Sequence, residues 1–161
     1  MKKFIIFMLI IFIRISVFAE LSIDEFIVID KKRNANIELG EKFSEIIKKY
    51  PDISYIGEKK YSNMIYKRYE ANGIIFSISA YAKSEQDAIL LGMEVISTNF
   101  ITKRGVTIGY TKENVISIYG NADFVQDNIH YFINSEYDVL ELKFWFNEIS
   151  TVASIELFAG T

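Results

Sequence analysis

The chain has 161 residues, half of them hydrophobic and 15% aromatic, with one proline and no cysteine. Such a composition can bury a core and is not that of a disordered tail, and the missing cysteine excludes disulfides, thiolate metal sites, cysteine nucleophiles and a lipid-modified cysteine. Eighteen basic and 21 acidic residues give a formal charge of −3; the longest basic run, Lys31-Lys32-Arg33, lies in a polar turn and not in a basic, aromatic-interleaved stripe, so no nucleic-acid partner is expected.

Residues 1–19 read as a secretory signal peptide. Lys2 and Lys3 form the positive start, residues 4–13 an unbroken apolar run, and Val17-Phe18-Ala19 a small-residue exit. Arg14 interrupts the apolar stretch, and an uncleaved anchor is the rival reading. Ten apolar residues, or sixteen with an arginine inside, fall short of the roughly 20 that cross a bilayer. Cleavage before Glu20 removes three of the 18 basic residues, leaving 15 against 21 acidic, a balance of −6. The expected product is exported, periplasmic or secreted, without stable membrane insertion.

Next in order, Phe26-Ile27-Val28-Ile29 is a short apolar run bounded by charges, suited to a strand. In residues 41–50, Phe43, Ile46, Ile47 and Tyr50 recur at helical spacing, and Pro51 ends the helix; no strong N-cap precedes it. Residues 57–63 read as a polar connection. The strands 64–69 and 74–82 flank Asn72-Gly73, a hairpin signal because both residues tolerate positive φ. Residues 88–101 end in a β-rich run, although 89–93 also fits a helix.

A second helix follows, capped by Thr111, with Glu113 in its first turn and Gly120 at its end. Residues 130–134, 139–146 and 150–158 then read as an antiparallel meander. Within it Leu140, Leu142, Phe144 and Phe146 point one way, and Val139, Glu141, Lys143 and Trp145 the other.

Two stretches match. Gly109, Val115, Ile116 and Tyr119 each follow Gly40, Ile46, Ile47 and Tyr50 by 69 positions, which suggests a tandem repeat. The expected fold is therefore α+β: two units, 20–104 and 105–161, each a helix packed on a roughly three-stranded antiparallel sheet. One face of each sheet is left open, since a helix covers only one.

The lead-in to Ile108-Gly109, the helix closing on Tyr119-Gly120-Asn121-Ala122-Asp123, the Tyr-rich strand and the final Ser154-Ile155-Glu156-Leu157 resemble the secreted bacterial repeats grouped with β-lactamase inhibitory protein and the small lipoprotein of the outer-membrane assembly machinery. The resemblance spans most of the mature chain. It implies helices on an antiparallel sheet and protein–protein contacts in place of catalysis. The absent lipobox cysteine means that no lipid anchor is implied. Gly40, Gly109, Tyr119 and Gly120 carry over as structural positions, and no inhibitory residue does.

His130 is the one histidine, and no nucleophile motif accompanies it. Asp24-Glu25 and Glu136 fall in polar turns with no apolar pocket; Asp138 and Glu141 lack a third metal ligand. No glycine-rich phosphate motif occurs. The candidate interaction face is the open sheet face, with Glu141, Lys143 and Trp145 in one unit and Ser77, Ser79 and Tyr81 in the other, because aromatic anchors amid polar neighbours suit protein binding.

The expected function is an exported, non-catalytic protein-binding or envelope-interaction module, with no cofactor or metal. A small-ligand carrier with an enclosed cavity, or an inhibitor of a secreted or periplasmic hydrolase, are the alternatives; an enzyme would need His130 near a serine or carboxylate in a cleft. Mass spectrometry of the exported protein should find Glu20 at its start; an intact Met1 on membrane-bound protein would make Arg14 the mark of an anchor.

Overall fold

The computed structural model describes residues 21–61, 63–134 and 140–159. The signal-peptide reading of residues 1–19, and the readings of Glu136, Asp138 and Val139, fall outside them. After a short 3-10 turn, Ile23–Glu25, come strands β1 (Ile27–Asp30) and β2 (Ala35–Glu38), helix α1 (Phe43–Lys49), and strands β3 (Ser54–Tyr61), β4 (Met64–Ala71), β5 (Ile74–Ser79), β6 (Leu90–Val95) and β7 (Phe100–Thr102). Helix α2 (Lys112–Tyr119) and strands β8 (Phe124–Gln126), β9 (Ile129–Ile133), β10 (Leu140–Phe146) and β11 (Val152–Ala159) complete the order.

This corrects the α+β expectation of two helix-on-sheet units. The protein is mostly β: a continuous eight-stranded antiparallel sheet, β3-β4-β5-β6-β11-β10-β9-β8, faces a three-stranded sheet, β2-β1-β7. Two causes account for the difference. The stretch 54–61 and the short run 124–126, neither read as strand from the sequence, are the two edges of the large sheet. Residues 90–95, in the stretch where the sequence left strand and helix both open, form β6, which is buried at Leu90, Gly92, Met93 and Val95. A bulge at Leu91 breaks its alternation, so that Leu90 and Met93 both face the core, and a central strand needs partners on both sides. β6 finds them in β5 and β11, with Val95 opposite both Ile74 and Ile155.

Local signals hold elsewhere. Asn72 and Gly73 turn the β4–β5 hairpin with φ of 55° and 86°. Thr111 caps α2 by accepting from the Asn114 N–H at 3.3 Å, whereas α1 starts at Lys42 without a side-chain cap. Gly40, Gly109 and Gly120 all have positive φ, the conformation glycine adopts without a Cβ penalty.

The helices, β1 and the inner face of the large sheet enclose one apolar cluster, in which Phe43, Ile46, Ile74, Phe76, Ile78, Val115, Leu142, Phe144 and Ile155 are all buried. The tyrosines that close the two helices have similar surroundings. Tyr50 donates to Asp30 at 2.9 Å beneath Arg33, and Tyr119 donates to Thr102 at 2.8 Å beneath Arg104. Burial would raise the Asp30 carboxyl, but hydrogen bonds from the Arg33 and Lys32 amides, the Arg33 guanidinium and Tyr50 outweigh it and hold it below the usual aspartate range. Among the described residues no helix is long and apolar enough to cross a membrane.

Phe144 is fully buried and packs on Tyr119 and Phe132. Phe144→Ala should destabilise the fold by about 3–5 kcal/mol, read as a lowered urea midpoint; an unchanged midpoint would refute the assignment of the inner face.

Candidate interaction face

On the outer face of the large sheet, residues opposite one another across strands share a side. One row runs Ile75, Glu94, Glu156, Lys143, Tyr131, Phe124, and the next runs Arg68, Ser77, Gly92, Phe158, Glu141. Glu94 and Glu156 stand directly opposite, an unfavourable pairing. Each has a cation on its far side: Arg68 reaches Glu94 at 2.7 Å, and Lys143 is the cross-strand neighbour of Glu156.

The face is concave. Lys143 lies on the sixth strand of the sheet and Tyr61 on the first, which a flat sheet would separate by about 24 Å. Yet the Lys143 Nζ sits 5.7 Å from the Tyr61 ring centre, 5.5 Å from Tyr131 and 5.8 Å from Phe158. Tyr61 and Tyr66 both pack against Phe158, at 5.4 and 5.3 Å. Gly92 lets the sheet close this far, because a Cβ there would lie 2.9 Å from the Phe158 ring. The gap left among these side chains is only about 20 Å³, room for about one water.

Lys143 was expected on the open face, and this is a second correction: it is 4% exposed. The sheet curls over it, which alternation along one strand cannot reveal. Burial opposes its charge, but the 2.6 Å hydrogen bond to Glu141 and the nearby carboxylates of Glu156 and Glu141 prevail and hold the ammonium above the usual lysine range. Ser77, Ser79 and Glu141 are half-buried on this face, and Tyr81 lies past the end of β5, exposed in a turn. These residues therefore do not form one continuous open surface with Trp145.

Trp145 remains open at 41% exposure, between Ser154 and Ile129 on the neighbouring strands. The sequence reading missed its companions. Phe124, 54% exposed, packs on Tyr131 at 5.4 Å, and both share the outer face with Trp145 beside the β8 edge. Reading 124–126 as a strand would have supplied the parity that places Phe124 here.

Other candidates fall elsewhere. His130 is on the inner face, buried, with neither ring nitrogen hydrogen-bonded, so no serine or carboxylate positions it. No three potential metal-ligating side chains of the described residues converge. A partly open cleft of about 380 Å³ lies between the first strands and β6, lined by Phe26, Ile27, Leu39, Leu90, Leu140 and others; it is not the enclosed cavity a carrier would have. The chain matches no protein-family model, no curated protein and no solved structure.

Glu141→Gln leaves the buried ammonium facing a neutral amide, whereas Lys143→Met removes the charge and keeps the packing. The first should lower stability by about 1–2 kcal/mol and the second change it by less than about 1 kcal/mol, both read from urea midpoints. The opposite ranking would mean that the rings, and not the carboxylate, hold Lys143 in place.

Proposed function

We propose that the protein is an exported, non-catalytic binding module that engages another protein through the outer face beside the β8 edge. The observation that carries this reading is the pair of exposed aromatics Trp145 and Phe124 on the outer face, with Phe124 packed on Tyr131, lying next to the ion-paired centre of the sheet. Aromatic side chains present large rigid area at low entropic cost, and they are the residues that most often anchor interfaces when ringed by polar groups. Export is supported by the residues of the amino terminus alone, and a protein partner also accords with the family the sequence resembles.

The concave centre, filled by Tyr61, Phe158 and Lys143, supplies a rigid wall in place of a pocket. The partner therefore meets an aromatic strip and not a cavity mouth.

Trp145→Ala should leave the urea midpoint within about 0.5 kcal/mol of the parent, because its side chain is already half in water. Binding to a partner isolated from the native envelope or medium should weaken by about 2 kcal/mol or more, measured by calorimetry with purified components. Unchanged affinity for Trp145→Ala and Phe124→Ala together would refute this face.

A further inference from the structure

We propose that His130 is an acid-sensitive trigger that opens the β8–β9 edge of the large sheet. Its ring is shut into the inner face, 4% exposed, edge-on to Phe146 at 5.0 Å, with Phe144 and Val125 opposite it on the flanking strands. Both Nδ1 and Nε2 are out of contact with solvent and neither has a hydrogen-bond partner. A neutral imidazole in that position leaves one donor and one acceptor unmet. An imidazolium would place a full charge there with no counter-ion, which is far more costly.

The surrounding charges reinforce this. From α2, Lys112 bears on the ring and disfavours a second positive charge. Glu113 on the same helix is exposed. Near β8, the Asp123 carboxylate is occupied by the Ile133 N–H at 2.8 Å, and Asp127 is an exposed turn residue with φ of 52°. From β10, Phe144 and Phe146 present only hydrocarbon, because Lys143 and Trp145 point to the other face. Desolvation, helped by Lys112, therefore pushes the His130 imidazole below the ordinary histidine range.

The sign follows from linkage. The closed form holds His130 neutral, so any form in which the ring reaches water binds more protons once the pH falls below about 6.5. Stability of the closed edge is full above that pH and declines as the pH drops through it. Opening should be local, since β8 has three exposed residues and pairs with β9 alone. β8, the strand that would detach, is thus the one with least holding it.

The test is deuterium exchange of the full chain at pH 7.5 and 5.0, corrected for intrinsic exchange, following peptides that cover residues 124–133. In the parent the opening equilibrium should rise by up to about thirtyfold between these values, the ratio set by an open-state pKa of about 6.5 and a closed form that stays neutral. In His130→Phe, and in His130→Leu as a second variant, the rise should be absent. An equal rise in parent and variants, or no rise in the parent, would overturn the proposal. Because there is a single histidine, its ring protons can also be followed by NMR in the unaltered protein. A titration midpoint well below 6.5 is expected, and one at 6.5 or above would overturn the proposal even if neither variant folds.

Discussion

The pairing of β6 with β11 is the contact on which the rest of the architecture depends. Four strands from residues 54–95 and four from residues 124–159 each form an antiparallel array, and only this pairing turns them into one sheet. Its inner side is Val95 on Ile155 and Met93 on Leu157, all buried in the common core; its outer side is Glu94 on Glu156 and Gly92 beside Phe158. Apolar burial holds the inner side at roughly 1.5–3 kcal/mol per large side chain. The outer side would resist closure but for Arg68 and Lys143, which place a cation beside each carboxylate. Sterics set the final approach, since any side chain at residue 92 would push Phe158 away.

What the sequence revealed and what it hid follow one physical division. Signals that act within a few residues were legible: the α2 cap at Thr111, the Asn72-Gly73 turn, the burial of Phe43, Ile46 and Tyr50 in the α1 stripe (though Ile47, read with them, is exposed), and the parity that separates Phe144 from Trp145. Signals that depend on partners far along the chain were not. The stretch 54–61 reads as polar because it is an edge strand, and its period is broken where Gly57, at φ 122°, follows a bulge at Ile56. An extra residue shifts every later side chain to the other face, so alternation fails as a guide. Likewise 90–95 lacks alternation because a bulge at Leu91 interrupts its pairing with β5. The curl that buries Lys143 brings together side chains from strands as far apart as β3 and β10, a proximity that alternation along one strand does not encode.

Lys143 also separates two regions of the outer face with different physical character. Around it, ion pairs and stacked rings leave almost no free volume and tie β3 to β10 across the sheet. Beyond it toward β8, Trp145 and Phe124 stand in solvent on strands held only by their neighbours. The first region is rigid support and the second is adaptable surface.

β11 is a central strand of the sheet whose partner β6 lies far earlier in the chain, and this sets a condition on how the sheet is assembled. Val95 must wait for Ile155, a residue 60 positions later, before the middle of the sheet exists. A chain that emerges amino terminus first therefore carries the rim of β6 bare until β11 has followed. That rim, carrying Leu90, Met93 and Val95, is the sort of apolar strand edge on which incomplete chains stick to one another. Keeping the chain unfolded until residues 152–159 have arrived is then a requirement for reaching the native sheet, and loss of those few residues should be more damaging than loss of β3 or β8.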